Sequence, residues 1–219
     1  MKESDVVEAV VLTCGSARWP GDEPTTAIPA RPGRGELDGT LAGLDGRRLV
    51  VCGTDADLAA VLLRLLRTDT LAAVAVGYVP AKTSSVVARL WGLPTAPVAA
   101  ATLALHGNPC LVPLVRDDAG GVLVGLGVVR PVDGVAYCDN NPVLRGVASR
   151  LEVRPDRALG LVVRVVHRRL VGRRVHRVIG RAVQLGCQPT GVWRDGVAAR
   201  ITDRWTWYRH TEDWLLIQD

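Results

Sequence analysis

The chain has 219 residues, of which 48% are hydrophobic and 22% charged, and it carries a net charge of +5. That length allows one large domain or two small ones, and the composition is that of an ordinary globular protein, not a disordered or fibrous one. It excludes a membrane-spanning helix: the apolar run Gly121–Val129 is far shorter than the ~20 residues a span needs.

Val6–Thr13 reads as the first strand. Cys14–Asp45 is rich in Gly, Pro, Asp and Arg and shows no periodicity. It reads as a long surface loop, either a flap or an eroded element, although such lengths are uncommon inside a domain. Leu49–Cys52 is a short apolar run that stops at Gly53. Thr54 and Asp55 suit the cap of a helix. Leu58, Val61, Leu62, Leu65 and Leu66 then recur at steps of three and four, the apolar face of an amphipathic helix. Leu71–Val76 reads as a second buried strand, followed by a turn over Gly77–Ser85. A second helix is expected from near Ser84 to Gly92 and Pro94. The result is a βαβα unit with both helix N-termini at one sheet edge, where ligands bind in open α/β sheets. Free backbone N–H groups there suit an anion such as phosphate.

Beyond Pro97 the pattern changes. Ala99–Leu105 is a short helix candidate ending at Gly107. Short apolar runs follow at Cys110–Val115, Val122–Val129, Val135–Cys138, Gly160–Val166, Val175–Leu185, Gly191–Trp193, Val197–Ile201, Trp205–Tyr208 and Trp214–Ile217. Turn signals separate them, including Asp117–Gly121, Val132–Gly134, Gly186–Thr190 and Asp195-Gly196. The expected fold is an α/β N-terminal domain (βαβα on an open, mostly parallel sheet) over residues 1–98. An all-β domain follows over 99–219, with its C-terminal end returning to the first domain.

Several motifs carry a family resemblance. Gly53-Thr54-Asp55-Ala56-Asp57-Leu58 stands where diacylglycerol-kinase-like lipid kinases have GGDGTL. Pro80-Ala81-Lys82-Thr83-Ser84-Ser85 stands at their PxGTGN, and Leu90-Trp91-Gly92-Leu93-Pro94 matches the stop that follows. Gly160–Val166, Arg173–Leu185 and Val192–Gly196 keep the order of the family's second-domain strands, the last ending in DGE. The sequence therefore resembles this family, which shares its fold with NAD kinases, over roughly Leu49 to Val197, as a divergent and shortened member. The resemblance implies binding of ATP with Mg²⁺ and phosphoryl transfer to a lipid-like alcohol.

Site residues follow from the same alignment. Asp55 falls on the family aspartate near the phosphates and metal, and would hold metal or orient the acceptor. Its other reading is a helix cap. Asp57 would be a second Mg²⁺ ligand. Gly53, Thr54, Lys82, Thr83, Ser84 and Ser85 would surround the nucleotide, with Lys82 as a point charge on phosphate. Asp195 would lie near the acceptor; its other reading is a hairpin turn with Gly196. Val76–Thr83 has the spacing of a phosphate-binding loop, but Val76 and Ala81 stand where its glycines belong.

The departures all point one way. Thr54 and Ala56 replace glycines of the first motif, and Lys82 and Ser84 replace both glycines of GTG. The Asn-Asp pair has become Ser85-Val86, and the glutamate of DGE has become Val197. Acidic positions before and within the Gly160 strand are Arg157, Ala158, Leu159 and Val163. Phosphoryl transfer is therefore expected to be weak or lost while nucleotide binding survives. The rival expectation is a non-catalytic interaction protein on the same fold.

Positive charge concentrates between Arg164 and Arg181. Arg168, Arg169, Arg173 and Arg174 at its centre read either as a solvated hairpin end or as a patch for anionic lipid or a membrane surface. No aromatic residue interleaves them, which argues against single-stranded nucleic acid. Five scattered cysteines contain no C-x-x-C pair, so no zinc site is expected. With no leader read, a reduced, cytoplasmic setting, peripheral to membranes at most, and a homodimer are the remaining expectations. Trp205 and Trp207 alternate onto one strand face.

Overall fold

In the computed structural model, which describes residues 8–168 and 172–219, the strands and helices fall into two units. One comprises Met1–Val112 with Asp213–Asp219, the other Pro113–Glu212.

The first unit contains β1 (Ala9–Cys14), β2 (Thr25–Ile28), α1 (Arg34–Ala42), β3 (Arg48–Gly53), α2 (Asp55–Arg67), β4 (Ala75–Pro80), α3 (Val86–Trp91) and α4 (Pro97–His106). Its strands run parallel in the order β2-β1-β3-β4. Every residue of β3 is buried, as expected of a central parallel strand. Helix α2 buries Leu58, Val61, Leu62 and Leu65, and places acids in its first turn and arginines in its last, complementing the helix dipole.

Two expectations are corrected here. The stretch Cys14–Asp45 is not one loop, for it holds β2 and α1. Neither announces itself, because β2 exposes three of its four residues and α1 buries only Leu37. The strand expected over Leu71–Val76 begins instead at Ala75 and runs through Gly77, where a turn was expected. Gly77 is a packing residue: a Cβ there would stand 2.7 Å from the carbonyl oxygen of Ala104 on α4. Of the first expected strand, Val6 and Val7 lie outside the described residues.

The second unit continues β5 (Asn108–Asp117) and adds β6 (Val122–Leu123), β7 (Gly127–Arg130), β8 (Val132–Cys138), β9 (Asn141–Ala148), β10 (Arg150–Asp156), β11 (Gly160–Arg168), β12 (Arg173–Gly180), β13 (Ala182–Arg194) and most of β14 (Val197–Gln218). The order is β12-β11-β10-β7-β13-β14, with β8 and β9 branching from β13. The pairings from β7 to β14 within this unit are antiparallel. Val129, Leu151, Val163, Val192, Trp205 and Trp207 share its core. The two indoles meet edge-on, 5.7 Å apart.

Here too the expectations shift in detail. β9 and β10 were not anticipated, although Leu151 and Val153 alternate cleanly with Arg150, Glu152 and Arg154. The run Val175–Leu185 is two strands that meet at Arg181, and β13 passes through the turn expected at Gly186–Thr190, where its register with β14 shifts. Val132–Gly134 belongs to β8. The three C-terminal runs are one strand, whose Leu215 and Leu216 pair in parallel with Ala75 and Val76 of β4.

Candidate functional site

The two motif-bearing corners of the first unit meet. Strand β3 ends at Gly53 and β4 at Pro80, side by side in register, and the amide of Ala81 donates to the Gly53 carbonyl at 2.7 Å. β3 turns directly into α2, capped by Thr54, while β4 reaches α3 through the turn over residues 81–85, with Ser85 as the cap.

Thr54 and Asp57 form a reciprocal cap. Asp57 donates its amide to Thr54 Oγ1 at 3.3 Å, while Asp57 Oδ2 accepts from the amide and the hydroxyl of Thr54, both at 2.7 Å. Asp57 Oδ1 accepts the amide of Arg31 at 2.6 Å, which ties the segment before α1 to the corner. The side chain is 2% exposed. It also explains Gly53, because a Cβ there would lie 2.9 Å from Asp57 Oδ2 and 3.1 Å from Cys14 Cβ. The space beside this glycine is filled by the protein itself. Burial, reinforced by the charge on Asp57 and by Cys52, pushes the Cys14 thiol up to about 12.

Asp55 binds the second corner. Its Oδ1 accepts from Tyr78 at 2.9 Å and from Ser85 Oγ at 2.5 Å, and its Oδ2 accepts from the amides of Val86 at 2.8 Å and Val87 at 3.4 Å. One carboxylate thus stands in the first turn of α2 and at the N-terminus of α3, where free N–H groups favour an anion. Burial first, then Asp55, pushes the ionisation of Tyr78 far up, so its hydroxyl stays a donor at ordinary pH. Tyr78 and Arg31 were not among the expected site residues. Tyr78 fell inside the turn expected over Gly77–Ser85, which hid its place in the buried strand β4.

These contacts decide the fit of Mg²⁺. Asp55 accepts four hydrogen bonds and Asp57 three from the chain's own donors, which leaves their oxygens little room for a cation. The donor set does not fit a magnesium ion. Lys82, Thr83 and Ser84 remain on the turn between Pro80 and Ser85, all exposed, and carry an ammonium and two hydroxyls between them. Those groups suit a phosphate.

At the level of sequence, no family model and no curated protein matches the chain. Solved structures do. A diacylglycerol kinase from Bacillus anthracis str. Sterne superposes with a TM-score of 0.69 at 12% identity, over 99% of this chain and 98% of that one. An NAD kinase from Archaeoglobus fulgidus in complex with ATP superposes with a TM-score of 0.59 at 11% identity, over 96% of this chain and 94% of that one. The chain has the diacylglycerol kinase/NAD kinase-like fold. Identity this low establishes the fold and leaves the chemistry to the residues.

On this fold the second unit carries Asp195. Its Oδ1 accepts the amides of Gly125 at 2.8 Å and Leu126 at 2.9 Å, and its Oδ2 accepts that of Val124 at 3.1 Å. This bracket breaks the run Val122–Val129 into β6 and β7. Asp195 and Gly196 have φ of 48° and 83°, the left-handed pair of a tight hairpin turn. Arg168, Arg173 and Arg174 lie exposed where β11 and β12 end and begin, with Arg168 opposite Arg173. Arg169 lies outside the described residues. Among those described, no helix is long and apolar enough to cross a membrane.

Proposed function

We propose that this chain is a nucleotide-binding protein on the diacylglycerol kinase-like fold, in which phosphoryl transfer to a lipid-like alcohol is weak or lost. The observation that carries the reading is the commitment of Asp55. The carboxylate that the family resemblance assigns to metal or acceptor instead joins Tyr78, Ser85 and the start of α3. Phosphoryl transfer relies on metal-held charge neutralisation and a positioned acceptor. With Asp55 and Asp57 both serving the chain, neither supplies the metal.

Binding asks for less. Lys82 offers a point charge, and Thr83 and Ser84 offer hydroxyl donors, at the end of a parallel strand where α/β folds take ligands. The NAD kinase of the same fold is in complex with ATP, which favours a nucleotide as the ligand. Asp55, Asp57, Gly53, Thr54 and Ser85 hold the corner in shape, while Lys82, Thr83 and Ser84 touch phosphate. Asp195 shapes a loop.

Calorimetric titration with ATP, with and without Mg²⁺, tests this on the wild type and on Lys82→Ala. The expected result is weak binding that survives removal of Mg²⁺ and is lost in Lys82→Ala, with no phosphate transferred to diacylglycerol. Absence of heat at millimolar nucleotide rejects nucleotide binding. Robust Mg²⁺-dependent lipid phosphorylation rejects the loss of catalysis.

A further inference from the structure

The second unit carries a separate concentration of charge on β7, β10, β11 and β13. Register aligns Arg164, Glu152, Val128 and Trp193 in one row across the four strands, so these side chains share a face. Gly191 stands opposite Arg130 beside that row. The Trp193 indole lies over Gly191, where an added Cβ would come within 2.5 Å of the ring. The Arg130 guanidinium stacks on the same indole, 4.8 Å from a ring centroid. A cleft of about 360 Å³ opens here, lined by Val128, Arg130, Arg150, Glu152 and Trp193 among others.

The charges in this cleft are unbalanced. Glu152 is only 5% exposed. It accepts from Arg150 Nε at 2.6 Å and Arg164 Nη1 at 3.0 Å, with Arg154 Nη2 at 3.9 Å. Arg130 has no carboxylate partner among the described residues and is held by the indole instead. The lining of the cleft thus sets the single carboxylate of Glu152 against the guanidiniums of Arg150 and Arg130, with Arg164 behind it. Arginine forks match phosphate oxygens, and phosphate spreads nearly two negative charges over such donors. The volume lies within the range of small-ligand sites.

We propose that this cleft binds a phosphomonoester, with Arg130 and Arg150 on the phosphate and the Trp193 face and Val128 against the organic remainder. Gly191 is what lets the indole lie flat enough to hold Arg130 in place. Glu152 orients Arg150 and competes with the ligand for it. The site is independent of the Lys82 turn, so either proposal can fail alone.

The test is titration of the full chain, in a Lys82→Ala background, with inorganic phosphate and with glycerol phosphate at constant ionic strength, followed by tryptophan fluorescence. A saturable change is expected, absent in Trp193→Phe and weakened about tenfold in Arg130→Ala. Arg130 is exposed, so its replacement leaves the core intact. Glu152→Gln, if folded by circular dichroism, is expected to bind severalfold more tightly. A response matched by chloride, or unaltered affinity in Arg130→Ala, overturns the proposal, as does weaker binding by folded Glu152→Gln. Arg130-dependent capture by vesicles containing phosphatidic acid supports it with a lipid headgroup as the source; soluble binding without capture supports it with a free phosphomonoester.

Discussion

Ser85 Oγ lies 2.5 Å from Asp55 Oδ1 and 3.0 Å from the amide of Ala88, so one hydroxyl couples the first turn of α2 to that of α3. Removing the carboxylate would strand the Ser85 hydroxyl proton and the amide of Val86, and would leave the Tyr78 hydroxyl only the Gly53 carbonyl, at 3.1 Å. Asp55→Ala is expected to cost about 2–4 kcal/mol of stability, a cost of unsatisfied buried partners. Chemical denaturation reads this directly. Millimolar Mg²⁺ should leave the midpoints of both proteins unmoved; a wild-type midpoint raised by Mg²⁺ and insensitive in Asp55→Ala would restore the metal role.

Asp195 offers a similar contrast. Alanine there loses three N–H acceptances and must adopt a φ of 48°. Asparagine keeps a carbonyl oxygen and tolerates the left-handed region. Asp195→Ala should cost about 2 kcal/mol and Asp195→Asn about half as much. Equal losses would show that charge, not backbone geometry, governs the position.

At Gly77 a single methyl should be felt. The added carbon would sit 2.7 Å from the Ala104 oxygen and 2.8 Å from its Cβ. Overpacking of this kind costs about 1–3 kcal/mol. Gly77→Ala should lower the thermal midpoint, and the double variant with Ala104→Gly should recover the part owed to the side chain.

Alkaline stability has a definite sign. The Cys14 thiol ionises at about 12 in the folded protein, against an ordinary value of 9.0. Between those limits the unfolded chain gives up its proton while the folded one keeps it. The contribution is therefore whole below pH 9 and is lost as pH rises toward 12. Stability measured from pH 8 to 11 should fall less steeply in Cys14→Ala than in the wild type; equal slopes would show that the thiol contributes nothing.

The corner around Asp55 was legible because both strands end on turn residues followed by capping side chains, Thr54 and Ser85, and such caps are local chemistry. The partner of each carboxylate was not legible. Asp57 meets the Arg31 amide across 26 positions, and no spacing rule connects them. The first unit's missing elements have a similar cause. β2 lies at the sheet edge with one buried residue, and α1 buries one leucine, so neither writes a periodic signal into its residues. Gly77 misled because a strand glycine that admits a neighbouring helix looks, in sequence, like a turn glycine. In the second unit, Leu151 and Val153 alternate plainly with charged neighbours, yet the opposite face is not simply solvated, for Glu152 on it is buried among arginines.

Leu215 and Leu216 of strand β14 supply the neighbour of β4, yet they are encoded more than a hundred positions after it. On the ribosome the hydrogen-bonding rim of β4 therefore stays bare until the rest of the β-rich unit has been translated. A nascent chain halted near residue 212 would carry that sticky rim with nothing to cover it, and would be prone to pair with its siblings.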